Sequence, residues 1–244
     1  MKTWQKVGLA TLLVLVVFSI RIYFLWKERH EPMVQKPQQQ QQMLTDDDIV
    51  TPRKLYIDDL KSAKVLVGKT IWVQAGFELD YFPYAGHSVN FAHKVGVLPS
   101  VQALEIKDIA LAKAPASIAS RIPLGDKQVY AVFTMPGDTK QYATAIGSMQ
   151  GTDSTYYCDD IFYYDDPHQM YKHWPADVWQ TIDQHQVKPG MSEMQTMMAV
   201  GQVAQSDSSN YGNRTVTYTA GDRKITVTFA NDKATQVQEA GGHA

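Results

Sequence analysis

From Val7 to Trp26 the chain runs for twenty residues with Arg21 as its only charge, and everything after that segment reads as water-soluble. A helix that crosses the hydrocarbon core of a bilayer needs about 20 apolar residues. Gly8 to Ile20 is uninterrupted, and Arg21 lies near one end, where a long side chain can snorkel to the headgroups. Tyr23 and Trp26 suit an interfacial belt. A cleaved signal peptide would share the basic start, Lys2 and Lys6, but the bulky stretch from Ser19 to Phe24 offers no small-x-small cleavage site. The expectation is a transmembrane helix over 7–26 that contacts the lipid bilayer and makes this a single-pass inner-membrane protein with its C-terminal domains in the periplasm. The flanking charges, Lys2 and Lys6 against Lys27 and Arg29, are nearly balanced, so they orient the segment weakly.

Residues 27–55 include five consecutive glutamines, Gln38 to Gln42, and hold too few apolar groups to offset ordering entropy; they read as a flexible Gln-rich linker. The formal net charge is -2 and the basic residues are scattered, which argues against nucleic acid as a partner. One cysteine, Cys158, excludes an intrachain disulfide framework.

Two soluble units follow, an α+β arrangement. Residues 56–165 read as a mainly β, small barrel-like domain, with strands expected at Thr70 to Val73, Val129 to Phe133, Gln141 to Ile146 and Tyr156 to Tyr164. Val101 to Ala112 has an apolar spacing that fits a short helix and a strand equally. Ala114 to Ser120 reads as a loop or one helical turn.

Residues 166–238 read as two helices and a three-stranded antiparallel sheet, with a disordered tail at 239–244. Asp166-Pro167-His168-Gln169 is a helix-start signature, with Gln169 reaching back to the cap. A helix ending near Gln186 and a second one capped by Ser192, striped by Met194, Met197 and Met198 and stopped at Gly201, come next. Gln202 to Asn213 reads as a disordered polar loop. The strands Thr215 to Thr219, Ile225 to Phe229 and Ala234 to Val237 share one apolar face: Val216, Tyr218, Ile225, Val227, Phe229 and Val237.

The run Val187-Lys188-Pro189-Gly190-Met191-Ser192-Glu193-Met194-Gln195, closed by Gly201, resembles the opening of the SmpA/OmlA family, whose best-known member is a small lipoprotein of the outer-membrane assembly machine. The aromatic strand at Tyr218 and the close at Phe229, Asn231, Asp232 and Lys233 fit the same pattern. The resemblance covers about 174–238 and implies two helices on a three-stranded sheet. It also implies structural roles for Gly190, which allows a tight approach, Met191, which plugs the sheet, and Ser192, which caps. The family's lipid-modified cysteine has no counterpart in this sequence. Family members scaffold or bind protein partners, so the resemblance implies a protein partner in the cell envelope.

The densest aromatic and polar segment runs from Tyr156 to Trp174. Tyr157, Tyr163, Tyr164 and Trp174 are candidates for a recognition surface, since each has an apolar body and a polar tip. Asp159, Asp165, His168 and His173 carry donor types that suit zinc or manganese, but in no recognised ligand spacing. Carboxylates beside Cys158 would raise its thiol, the wrong direction for a nucleophile. No catalytic motif and no cofactor site is read. The functional expectation is a non-enzymatic binding or scaffold module tethered in the cell envelope. The alternatives are a sensor or inhibitor module for a soluble ligand or protein, and an enzyme with an unrecognised site.

Overall fold

The structure, a computed structural model, describes residues 46–240 together with 18–23 and Trp26. Residues 18–23 and Trp26 are helical, with Phe18, Ile20, Ile22 and Tyr23 exposed. The remainder of the expected anchor, and 27–45 of the expected linker, lie outside the described residues. Among the described residues no helix is long and apolar enough to cross a membrane. The transmembrane helix, and the single-pass inner-membrane location drawn from it, are therefore corrected. The part of the apolar run that is described, 18–23 with Trp26, is far shorter than the ~20 residues a span needs.

The chain from Thr45 onward is one compact unit, and it is mainly β rather than α+β. Its first sheet is nine-stranded. The strands are β1 (Thr70–Val73), β2 (Asp80–Ala85), β3 (Ser88–Val89), β4 (Gly96–Val97), β5 (Ala103–Ala112), β6 (Lys127–Thr134), β7 (Tyr142–Gln150), β8 (Asp153–Tyr156) and β9 (Phe162–Tyr163). The pairing order is β3-β2-β7-β6-β5-β1-β9, with β4 on β2 and β8 on β7, all antiparallel. The path is open among the described residues, ending at β3 and β9, so the expected barrel does not close. The second sheet is four-stranded, ordered β10 (Val203–Ser206), β11 (Thr215–Ala220), β12 (Arg223–Ala230) and β13 (Lys233–Ala240). Helices are short: α1 (Leu60–Ala63), α2 (Cys158–Ile161), α3 (Pro167–Met170), α4 (Ala176–Asp183) and α5 (Glu193–Val200).

Three differences from the sequence reading have local causes. The spacing of Val101 to Ala112 looked half helical because β5 carries a β-bulge between Ile106 and Asp108. One extra residue shifts the inward phase, so Leu104, Ile106 and Ile109 are all buried while Lys107 and Asp108 stay exposed side by side. The expected strand from Tyr156 to Tyr164 is broken by α2, where Asp159 and Asp160 stand in the first helical turn, the end at which negative charge is favoured. Val203 to Ser206 is an edge strand, not a disordered loop; it is almost wholly exposed and so carries no apolar alternation. At the C-terminus, Glu239 and Ala240 belong to β13, and the rest of the expected tail lies outside the described residues.

Central strand β6 is buried from Gln128 to Thr134. Its two faces serve different clusters: Val129, Ala131 and Phe133 meet Leu66, Leu104 and Ile146, while Tyr130 and Val132 meet Phe82, Tyr84 and Ala143. The second sheet packs Val216, Tyr218, Ile225, Val227 and Phe229 against α4 and α5, the apolar face expected from the alternation. On α5 the stripe differs. Met198 is buried, Met194 and Met197 are half-buried, and the turns that face the sheet also bury Glu193, Gln195 and Thr196. Glu193, 1 % exposed, accepts from Gly212 N–H at 2.8 Å and from Arg214 Nε and Nη2 at 3.0 and 2.5 Å. Removing one partner of a buried pair of this kind costs about 3–5 kcal/mol.

Ser192 Oγ accepts from Gln195 N–H at 3.1 Å while Gln195 Oε1 accepts from Ser192 N–H at 2.9 Å, a complete capping box. Met191 is buried in the second core. Gly190 makes no tight approach: a Cβ there would meet nothing within 4 Å, and its φ of +91° is what calls for glycine. The tight approach belongs to Gly201, with φ +89°, where a Cβ would lie 2.5 Å from the Gly76 carbonyl oxygen. Gly201→Ala is therefore expected to cost more than the ~1–3 kcal/mol of backbone strain alone, and more than Gly190→Ala. Urea unfolding of the two variants checks the order.

Candidate functional site

The aromatic residues picked out in the sequence are mostly interior. Tyr163, Tyr164 and Trp174 are buried, and Tyr157 is half-buried against the first core. Trp174 stacks on Tyr171, with ring centroids 4.5 Å apart, and donates its indole N–H to Asp47 Oδ1 at 2.6 Å. Burial pushes the Tyr163 and Tyr164 hydroxyls up, and a hydrogen bond to Asp159 adds to the effect at Tyr164. Tyr163, Tyr164 and most of Trp174 thus pack inside the protein, while Tyr157 stays half-buried.

The four metal candidates do not converge. Asp159 accepts from Leu55 N–H and Tyr56 N–H, both at 2.9 Å, and from the Tyr164 hydroxyl at 2.7 Å. Asp165 pairs with Arg53 at 2.9 Å. His168 lies 3.0 Å from both Asp166 and Asp183 and stacks on Trp179, while His173 lies 2.5 Å from Asp47. Among the described residues no group of three or more His, Cys, Asp or Glu is placed to hold a metal. Asp159, Asp165 and His173 instead tie down the stretch before the first sheet. Asp47, Arg53, Leu55 and Tyr56 are all bonded to residues between 159 and 174, so the last ten residues of the expected flexible linker form a docked strap.

Burial alone would raise the Asp159 carboxyl, but its three donors outweigh that and hold it below the ordinary aspartate value. Its contribution to stability is thus present in full above that ordinary value and is lost as pH falls through the lower, folded value. Asp159→Ala is expected to speed amide exchange at Leu55 and Tyr56 at neutral pH, while the amides of β6 keep their protection. Hydrogen exchange read by mass spectrometry checks both. Cys158 is buried, and burial followed by the Asp159 charge pushes its thiol up to about 12. A thiol-disulfide reagent at pH 8 is expected to leave it unmodified until the protein is unfolded.

A cleft of about 340 Å³ lies elsewhere, between β2, β6, β7 and the connection 113–126. Its apolar wall includes Leu79, Phe82, Ile118 and Ile122. Its floor is polar and fully buried. Tyr130 donates to Gln128 Oε1 at 2.5 Å, Gln128 Nε2 donates to the Ile122 carbonyl at 2.8 Å and to Ser120 Oγ at 3.1 Å, and Thr144 donates to the Asp80 carbonyl at 3.0 Å. Buried polar groups are tolerated only when bonded in this way. These bonds also tie the connection 113–126 to β6. Burial pushes the Tyr130 hydroxyl up, so it stays protonated.

Two ion pairs stand at the mouth of the cleft, Glu78 with Arg121 and Asp80 with Lys94, the latter at 2.7 Å. Glu78 and Arg121 also line a second cavity of about 290 Å³ with Tyr157, Asp160 and Gln202. The Glu78–Arg121 pair therefore stands where the two cavities adjoin.

Little in the sequence pointed to this cleft. Pro83 inside β2 argues against a strand there, yet it sits opposite Tyr142 in the ladder. The one usable signal is the period of two in β6, which puts Gln128 on the same side as Tyr130 and Val132. No family model matches the chain, no curated protein matches it, and no solved structure matches it.

Proposed function

We propose that this chain is a non-enzymatic binding module that holds a small, partly apolar ligand in the cleft between β2, β6, β7 and the connection 113–126. One observation carries the reading. The cleft of about 340 Å³ has an apolar wall, a buried floor of bonded polar side chains and charged groups only at its mouth. Ligand pockets have this build: predominantly apolar, about 300–1,000 Å³, with a few placed polar groups. The lining side chains are suited to holding rather than reacting, because the carboxylates are paired with bases and Tyr130 keeps its proton. A role centred on the aromatic segment has no comparable support, since Tyr163, Tyr164 and Trp174 are engaged in the core.

The test uses N-phenyl-1-naphthylamine, an uncharged probe that brightens in apolar surroundings. Titration of the full chain is expected to saturate. Ala119→Trp, an exposed position on the cleft wall, is expected to weaken binding by about tenfold, or about 1.4 kcal/mol, without lowering the melting temperature. Binding that is unchanged in Ala119→Trp would put the probe somewhere else and defeat the reading.

A further inference from the structure

The charged groups at the mouth of the cleft are unequal. Asp80 belongs to the sheet and Glu78 stands two residues before it. Asp80 opens β2 and pairs in register with Val97, and Glu78 is held between Phe77 N–H donating to Leu98 O at 2.7 Å and Leu98 N–H donating to Leu79 O at 2.8 Å. The acids are also the more buried partners, with side-chain exposures of 15 % for Glu78 and 25 % for Asp80. Their bases are long side chains from connecting segments, exposed by 66 % at Arg121 and 49 % at Lys94. The negative charge is partly desolvated, while the positive charge is the better solvated.

This asymmetry decides which sign of ligand the cleft favours. An anion that recruited Arg121 or Lys94 would leave a partly buried carboxylate without its partner, which is the costly way to break an ion pair. A cation that took over Glu78 or Asp80 would release only a base that water already reaches, and exposed pairs are weak to begin with. Burial pushes the Glu78 carboxyl up, and the charge and hydrogen bond of Arg121 only partly offset that, so this carboxylate gains from a close cation. Behind the two acids lie Leu79, Phe82 and Ile118, with the Tyr130 ring at the floor; an apolar body fits there, and aromatic faces tolerate a nearby positive charge.

We infer that the ligand is a small organic cation, a primary amine on an apolar body, whose ammonium group displaces Arg121 from Glu78 while the body fills the cleft. The inference rests on the reading of the cleft as a ligand site. Arg121 occupies the place that the ligand's own charge would take beside Glu78.

Three probes of matched shape test it on the full chain by isothermal titration calorimetry: 2-phenylethylamine, 2-phenylethanol and 3-phenylpropionate. The amine is expected to bind at least about tenfold more tightly than the alcohol, the range of a hydrogen bond to a charged group, and the carboxylate most weakly. Glu78→Gln is expected to remove most of the preference for the amine and leave the affinity for the alcohol unchanged. That variant keeps the shape of the side chain and frees only the exposed Arg121, so its fold should be intact, and its melting temperature checks this. Equal affinity for amine and alcohol, tighter binding of the carboxylate, or an amine preference that survives Glu78→Gln would each overturn the inference. If N-phenyl-1-naphthylamine still binds and is expelled by Ala119→Trp, only the ligand class is wrong. If that probe also fails to bind, the reading of the cleft falls with it.

Discussion

The pairing of β1 with β9 is the contact on which the rest of this fold depends. Both strands are short; β9 is buried on both faces, and β1 buries Ile71 and Val73 on one face with Trp72 half-buried on the other. Ile71, Val73 and Phe162 point into the first core, while Trp72 and Tyr163, opposite one another in the ladder, point into the second. Alternation in a strand sends neighbours to opposite faces, so one antiparallel pair closes both clusters at once. Each fully buried aliphatic or aromatic side chain of this kind contributes about 1.5–3 kcal/mol. This is why 56–165 and 166–238 do not behave as two beads on a string: the last strand of the first sheet is part of the wall of the second core. Gly201 adds a second weld, because only a residue without a side chain lets the end of α5 reach the Gly76 carbonyl.

Within the second half, Glu193 has a comparable role. It begins α5, where a negative charge suits the helix end, and it reaches across to Gly212 and Arg214 at the start of β11. Asp232, after β12, accepts the Glu193 backbone N–H at 3.0 Å. Burial raises the Asp232 carboxyl, with the Glu193 N–H pulling the other way. One helix start thus gathers the two turns that flank the sheet, and the Ser192–Gln195 capping box fixes its direction. The first half is held differently. There the connection 113–126 is pinned by Gln128 and Tyr130, and the space left beneath it is the cleft.

Legibility followed how local the cause was. The capping box, the Asp166 cap with Pro167 behind it, and the alternation of β11 and β12 can be read off because each is set within a few residues. Gln169 was expected to complete the Asp166 cap, but Asp166 accepts from the His168 N–H instead. The expected SmpA/OmlA-like pattern rests on those local residues alone and implies three strands, where the second sheet has four. Where a bulge changed the phase, as in β5, or where an edge strand was polar, as in β10, the same rules gave the wrong element. Aromatic density is ambiguous for a physical reason: Tyr and Trp with polar tips suit a wet surface and a bonded interior equally, and only Asp47, Asp159 and the Tyr171 stack decide for the interior.

What the sequence determined by itself is therefore the set of short-range commitments: which stretches alternate, where α5 starts and stops, and that Cys158 sits among acids. Periodicity and capping act over a few residues and are written directly in the order of side chains. Tertiary structure alone decided that one strand pair would serve two cores. It also docked the strap before the first sheet, and it brought Glu78 to Arg121 across 43 residues and Asp80 beside Lys94 at the mouth of a cleft. Those outcomes depend on which buried faces meet, and a face has no partner until the whole chain has packed.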